Sequence, residues 1–102
     1  MSGKRKLAQF AAIKTFENVI EIPYDEAYNK EHPLKGNWNA EVFKNDHPIV
    51  LELGCGKGEY SIGLAQHYPK HNFIGVDIKG ARMWRGAKTA LDENINNVQF
   101  LR

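Results

Sequence analysis

The residues best suited to chemistry lie in one short stretch, LELGCGKGEY, at positions 51–60. Two carboxylates enclose three glycines there: Glu52, Gly54, Gly56, Gly58 and Glu59. Glycine loses more backbone freedom on folding than any other residue, but it permits left-handed turns and lets a ligand approach the main chain. Asp77 follows at about the twenty-residue distance at which an acid can accept hydrogen bonds from a ribose diol.

The charges around the loop discriminate between nucleoside ligands. The dinucleotide fingerprint G-x-G-x-x-G, counted from Gly54, places Glu59 where the last glycine should stand. A carboxylate in the first turn of a helix would repel a pyrophosphate, and Glu52 adds further negative charge. The pattern therefore favours a cationic, phosphate-free nucleoside such as S-adenosylmethionine over a nicotinamide dinucleotide.

The segments around these residues alternate between predicted strands and helices. Ile49–Leu53 is an apolar run between proline and glycine, which is typical of a strand buried on both faces. Helices are predicted at 59–68 and 80–91, and further strands at 72–77 and 98–102. This alternation predicts a parallel sheet with right-handed crossovers, and ligands bind at the carboxyl ends of such strands.

The apolar stripes of the two helices give a candidate core. We expect the inward-facing residues to be Ser61, Leu64, Ala65 and Tyr68 on the first helix, and Ala81, Trp84, Ala87 and Leu91 on the second.

Residues 1–46 are predicted to form an N-terminal arm and covering segment, and residues 47–102 the first half of the binding domain. Residues 1–8 are interpreted as a basic arm, and 10–20 as a short helix or irregular segment that docks through its apolar side. The remainder is rich in proline, glycine and asparagine, with one helical turn expected near Ala40–Phe43 and anchors at Trp38 and Phe43.

Composition bounds the class of protein. The 102 residues are 42% hydrophobic and 25% charged, which indicates one globular domain rather than a disordered chain or a membrane protein. The net charge of +2 is too small to indicate a nucleic-acid partner by itself. One cysteine, no metal-ligand spacing and no run of about 20 apolar residues predict a cytoplasmic protein without a metal or a membrane span.

Three stretches together resemble the bacterial tRNA (guanine-N7)-methyltransferases, which are class I S-adenosylmethionine-dependent methyltransferases. They are PIVLELGCGKGEY, NFIGVDIKGARMW and NNVQFL, and the resemblance is clear over 46–102 and loose over 1–35. It implies a partial doubly wound, Rossmann-like α/β parallel sheet with an N-terminal covering segment. It also implies methyl transfer from S-adenosyl-L-methionine to N7 of a guanine in tRNA.

The resemblance implies that Glu52 and Asp77 contact the cofactor, although the family often has glutamate at the second position. It further implies that the catalytic loop and the tRNA-binding residues follow Arg102. We therefore expect no catalytic residue in these 102 positions, and no activity from the chain alone. The expected cofactor-binding residues are Glu52, Gly54, Cys55, Gly56, Gly58, Asp77 and Ile78.

Several alternatives stay open. The chain could serve a methyltransferase with another substrate, a non-catalytic module that senses the cofactor, or a nicotinamide-dependent oxidoreductase. Asp77 could simply cap the next helix, and Cys55 is interpreted as a small filler whose backbone N–H faces the ligand. The basic residues after the second strand fit either phosphate contacts or a solvated face: Lys79, Arg82, Arg85 and Lys88. An exposed, unpaired third strand would invite self-association.

Overall fold

The computed structural model describes residues 3–22, 33–78 and 80–102. Within these ranges there are three α-helices: α1 (Gly3–Ile13), α2 (Glu59–His67) and α3 (Gly80–Asp92). There are four β-strands: β1 (Val19–Ile20), β2 (Ile49–Leu53), β3 (Asn72–Val76) and β4 (Val98–Leu101). The β-α-β-α-β order predicted from residue 49 onward is confirmed.

The four strands form one parallel sheet in the order β1-β4-β3-β2. Each of the helices α2 and α3 connects a strand to its neighbour, as right-handed crossovers require. The predicted α/β fold class is confirmed. Because consecutive strands move across the sheet in one direction, both connecting helices pack on the same face.

That face carries the core. In register, Phe73 of β3 lies beside Val98 of β4, and Gly75 lies beside Phe100. Side chains two residues apart point to the same side of a strand, so these residues share one face of the sheet. On that face they pack with the buried residues of α2 and α3. The buried cluster comprises Ile13, Val19, Ile62, Ala65, Phe73, Met83, Ala87, Ala90, Val98 and Phe100.

The predicted helix stripes are partly wrong. Tyr68 and Leu91 are exposed, whereas the sequence interpretation placed both in the core. Tyr68 lies one residue beyond the end of α2. The inward position of Ala87 is confirmed, but it shares its buried face with Met83 and Ala90, at the i, i+4, i+7 spacing of one helix face. The predicted inward position of Ala81 lies outside the residues whose side chains are described.

The N-terminal prediction also needs correction. Residues 3–8, interpreted as a basic arm, belong to α1, and Val19–Ile20 form a strand rather than part of a helix. Arg5, Lys6, Leu7 and Ala8 are good helix formers. In addition, α1 gains stability by packing on α3, as is usual for helices in proteins. Arg102 ties this region to β4, with its guanidinium 4.7 Å from the Phe10 ring centroid and 2.6 Å from the Glu21 carboxylate.

The covering segment is described from residue 33 onward; its predicted part at 23–32 lies outside the described residues. The expected helical turn is present as a π-helical turn at Asn39–Phe43. A buried amide holds this segment to the sheet, because Asn72 Nδ2 donates to Asn39 Oδ1 at 2.9 Å and to Asn45 Oδ1 at 2.7 Å. The sequence interpretation had not singled out Asn72, which is fully buried at the start of β3.

Strand β2 departs most from its prediction. It was expected to be buried on both faces, but Leu51 is 59% exposed and Leu53 is 79% exposed. The physical reason is position: β2 is the outermost strand, and no other described strand pairs with its free side. The third predicted strand, for which an unpaired edge had been considered, is paired on both sides, because β4 lies between β1 and β3.

No helix in the described ranges is long and apolar enough to cross a membrane. Across the same residues, no group of three or more histidine, cysteine, aspartate or glutamate side chains is placed to hold a metal ion.

Candidate functional site

The glycine loop, Gly54–Gly58, begins where β2 ends and leads directly into α2. All three of its glycines have left-handed backbone angles, with φ of 70° at Gly54, 56° at Gly56 and 76° at Gly58. Residues with a Cβ rarely adopt this conformation. The turn itself therefore favours glycine at all three positions.

Hydrogen bonds attach the loop to the end of β3. The backbone N–H of Cys55 donates to the Val76 carbonyl at 2.9 Å, and the N–H of Gly56 donates to Asp77 Oδ2 at 2.8 Å. The two sequence motifs are thus brought together at the carboxyl ends of adjacent parallel strands, as expected. Asp77 has a structural task there, since its carboxylate holds the loop backbone.

Glu52 is half-buried on the helix-facing side of β2. Its Oε1 accepts a hydrogen bond of 2.7 Å from the hydroxyl of Ser61, which is buried on α2. A partly buried carboxylate needs such a partner. Ser61 had been expected only as part of the inward stripe, and its polar role was missed. A hydroxyl on an otherwise apolar helix face was the signal that could have revealed it.

Cys55 differs from its prediction in one respect. Its N–H was expected to face a ligand, but that group is used by Val76. Burial, together with the negative charges of Asp77 and Glu52, raises the pKa of the thiol to about 12. The thiol is therefore protonated at neutral pH and is no nucleophile, in line with the interpretation of this side chain as a filler.

The same electrostatics describe the site as a whole. Burial raises the pKa of the Cys55 thiol, and the negative charges of Asp77 and Glu52 raise it further, so two carboxylates act on this part of the loop. Such a site attracts a cationic group and disfavours a phosphate.

The remaining predicted residues are exposed or lie outside the described residues. Ile78, expected to contact a cofactor, is 82% exposed directly after Asp77. Glu59 is exposed at the first position of α2. Arg82, Arg85 and Lys88 are exposed on α3, where Lys88 pairs with Asp92 at 2.7 Å. Lys79 lies outside the described residues.

A cavity of about 470 Å³ lies elsewhere, near the amino ends of β1 and β4. Its lining includes Asn18, Val98 and Gln99 and none of the predicted cofactor-binding residues. The candidate site is therefore the loop edge and not this cavity, because ligands of such sheets bind at the carboxyl ends of the strands.

Comparison with known proteins agrees with this geometry. A family model described as "Putative methyltransferase" matches residues 46–102, which include the loop, Asp77 and β4. A tRNA (guanine-N(7)-)-methyltransferase of Christiangramia forsetii is 58% identical over all of this chain. One of Bacteroides fragilis is 54% identical over 98% of it. The chain spans only 46% and 40% of the lengths of these two relatives.

A solved structure of coclaurine N-methyltransferase, bound to N-methylheliamine and SAH, shares the fold. It superposes with a TM-score of 0.50 over 97% of this chain and 37% of its own, at 17% identity. The resemblance predicted from the three sequence stretches is confirmed by the family model and by the curated relatives. The chain belongs to the methyltransferase family whose model spans its glycine loop and the three strands around it.

Proposed function

We propose that this chain is the cofactor-binding part of an enzyme that transfers a methyl group from S-adenosylmethionine to N7 of a guanine in tRNA. One observation carries the proposal: a relative named for this reaction is 58% identical over the whole chain. Since the chain spans less than half of that relative, the activity belongs to a longer protein. The division into a covering segment, 1–46, and a half-domain, 47–102, is part of this proposal.

The local chemistry of the site fits the cofactor. The carboxylates of Glu52 and Asp77, whose negative charges act on the Cys55 thiol, suit the sulfonium and ammonium groups of S-adenosylmethionine. Asp77 holds Gly56 through Oδ2. A carboxylate has about four lone-pair sites, so the same side chain can also accept from the ribose hydroxyls.

A Cβ built on Gly54 or Gly56 meets nothing within 4 Å, so a ligand can lie close against this part of the loop. Glu52 and Ile78 would lie beside it. These roles, and those of Gly54, Cys55 and Gly58, are part of the proposal. When bound, the cofactor supplies an electrophilic methyl group. Guanine N7 is an unprotonated acceptor, so no base has to remove a proton from it, and the main task of the protein is alignment.

Isothermal titration of the chain with S-adenosylhomocysteine tests the cofactor assignment. Asp77→Asn should weaken binding by roughly tenfold to a hundredfold, because it removes charge-assisted acceptors. Asp92→Asn is the matched control, since this carboxylate is exposed at the end of α3 and should leave the affinity unchanged. Tighter binding of NADH than of S-adenosylhomocysteine would contradict the proposal and favour an oxidoreductase.

A second experiment tests the tRNA substrate. The full-length protein should methylate a tRNA transcript, whereas the 102-residue chain alone should give no turnover. A transcript with 7-deazaguanine in place of guanine should not react, because it carries C–H where N7 would stand. Binding should also weaken steeply between about 50 and 200 mM salt. Equal methylation of both transcripts would show that another atom or another substrate is the target.

The proposal also places the enzyme in the cytoplasm, where tRNA is available for modification. The single, protonated Cys55 is compatible with a reducing compartment.

A further inference from the structure

Glycine 86 lies in the middle of α3, where helix propensity alone does not explain it. Glycine destabilises a helix interior relative to alanine. Gly63, in the middle of α2, offers a contrast, because a Cβ built there meets nothing within 4 Å. A Cβ built on Gly86 would instead collide with the carbonyl oxygen of Lys57, in the glycine loop. The glycine is therefore needed for space.

The contact continues along the loop. The same built Cβ would lie 3.2 Å from Gly58 Cα and 3.1 Å from Phe100 Cζ. Backbone thus packs against backbone where α3 passes the loop. Because neither main chain can move like a flexible side chain, any added atom at residue 86 must displace one of the two elements.

Phe100 supports the loop from the sheet. Its ring is fully buried on β4, and a Cβ built on Gly58 would lie 2.6 Å from Cε1 and 2.8 Å from Cζ. A Cβ built on Gly75 would lie 3.1 Å from Cδ1 of the same ring. The ring therefore bears on three elements at once: the loop, β3 and α3.

We infer that Gly86 and Phe100 are positioning residues for the cofactor loop, an inference that rests on the proposed cofactor-binding function. The ring of Phe100 limits how closely Gly58 can approach the sheet. The absence of a side chain at Gly86 leaves room for the Lys57 carbonyl beside α3. The glycine-loop motif and the acidic residue after β3 do not include either of these two residues. Both act through the loop, whose Gly56 N–H must stay aligned with Asp77.

The decisive comparison is Gly86→Ala against Gly63→Ala, the same substitution in two helices. In the full-length protein, Gly86→Ala should raise the Kd for S-adenosylhomocysteine and the KM for S-adenosylmethionine by about tenfold or more, since small misplacements of a site are costly. The kcat at saturating cofactor and the KM for tRNA should change little. Gly63→Ala should leave all of these values unchanged. A purely structural defect would lower the active fraction and kcat without changing the KM for one substrate.

Circular dichroism melts accompany each variant. If Gly86→Ala does not fold, Phe100→Leu serves in its place, because a smaller side chain removes the support of the loop without a collision; it should also raise the Kd by about tenfold. Wild-type affinity in a folded Gly86→Ala variant, or in Phe100→Leu if the first does not fold, would overturn this inference and leave the proposed function standing. If the unsubstituted protein did not bind S-adenosylhomocysteine, the proposed function would fail, and this inference with it.

Discussion

Strands β2 and β3 are neighbours of equal length, but their surroundings are opposite. β2 reads IVLEL and β3 reads NFIGV, so β2 has four strongly apolar residues where β3 has three. Nevertheless β3 is buried, whereas most of β2 is exposed. The difference lies in their partners: among the described strands, β3 pairs on both sides and β2 pairs with β3 alone.

One register pair isolates this contrast. Leu51 lies beside Ile74 on the sheet face away from α2 and α3, yet Leu51 is 59% exposed and Ile74 is 2% exposed. An apolar sequence therefore shows that a strand can be buried in the middle of a sheet. The elements packed around a strand decide whether it is buried in this chain.

The largest expected effect comes from this pair. Ile74→Ala should lower the free energy of unfolding by about 2–5 kcal/mol, because it leaves a cavity in a buried site. Leu51→Ala should change it by less than about 0.5 kcal/mol, as for other exposed positions. Urea unfolding followed by circular dichroism measures both. Equal losses would show that Leu51 is buried in solution.

Cys55 follows β2 and is hydrogen-bonded to the end of β3. We expect its thiol to be protected, unlike the exposed side chains of β2. Because burial and two carboxylates raise the pKa of Cys55 to about 12, the folded state favours the neutral thiol. The contribution of this thiol to the free energy of unfolding is complete below the unfolded pKa of about 8.5. It is lost as the pH rises towards the folded pKa of about 12.

At pH 8, iodoacetamide should therefore alkylate the folded chain at least about a hundredfold more slowly than the chain in denaturant. Mass spectrometry over time gives both rates. Similar rates would mean that the loop opens readily and that the thiol is no more protected than the exposed side chains of β2.

The amino end of β3 offers a third test. Asn72→Ala removes a buried amide that binds Asn39 and Asn45, and should cost about 1–3 kcal/mol of unfolding free energy. Asn37→Ala is the matched control, because its exposed amide makes only a local bond to the Pro33 carbonyl. A loss as small as that of the control would show that the covering segment does not stabilise β3.

The smallest expected effect concerns the free edge of β2. An exposed apolar edge strand can pair with a second copy of the chain, so we expect weak, concentration-dependent association in sedimentation velocity. Replacing Leu51 and Leu53 together with lysine should weaken it several-fold, as charges protect natural edges. Tyr60→Lys removes an exposed apolar side chain elsewhere and should have no effect. A monomer at all concentrations would contradict this expectation.

The sequence by itself determined the order of the elements, the parallel sheet and the meeting of the loop with Asp77. These follow from local patterns: apolar runs, turn glycines and the rule that parallel strands end at one edge. The family resemblance was also readable, since each of its three motifs is a continuous stretch of residues.

Only the tertiary structure decided which groups are already engaged. It showed that the Cys55 N–H binds Val76, that Ser61 holds Glu52, and that β2 is an edge while β4 is not. It also showed why Gly86 must be glycine, because its neighbour Lys57 lies in another element. Such facts depend on contacts between residues far apart in the chain, which local patterns of residue type do not encode.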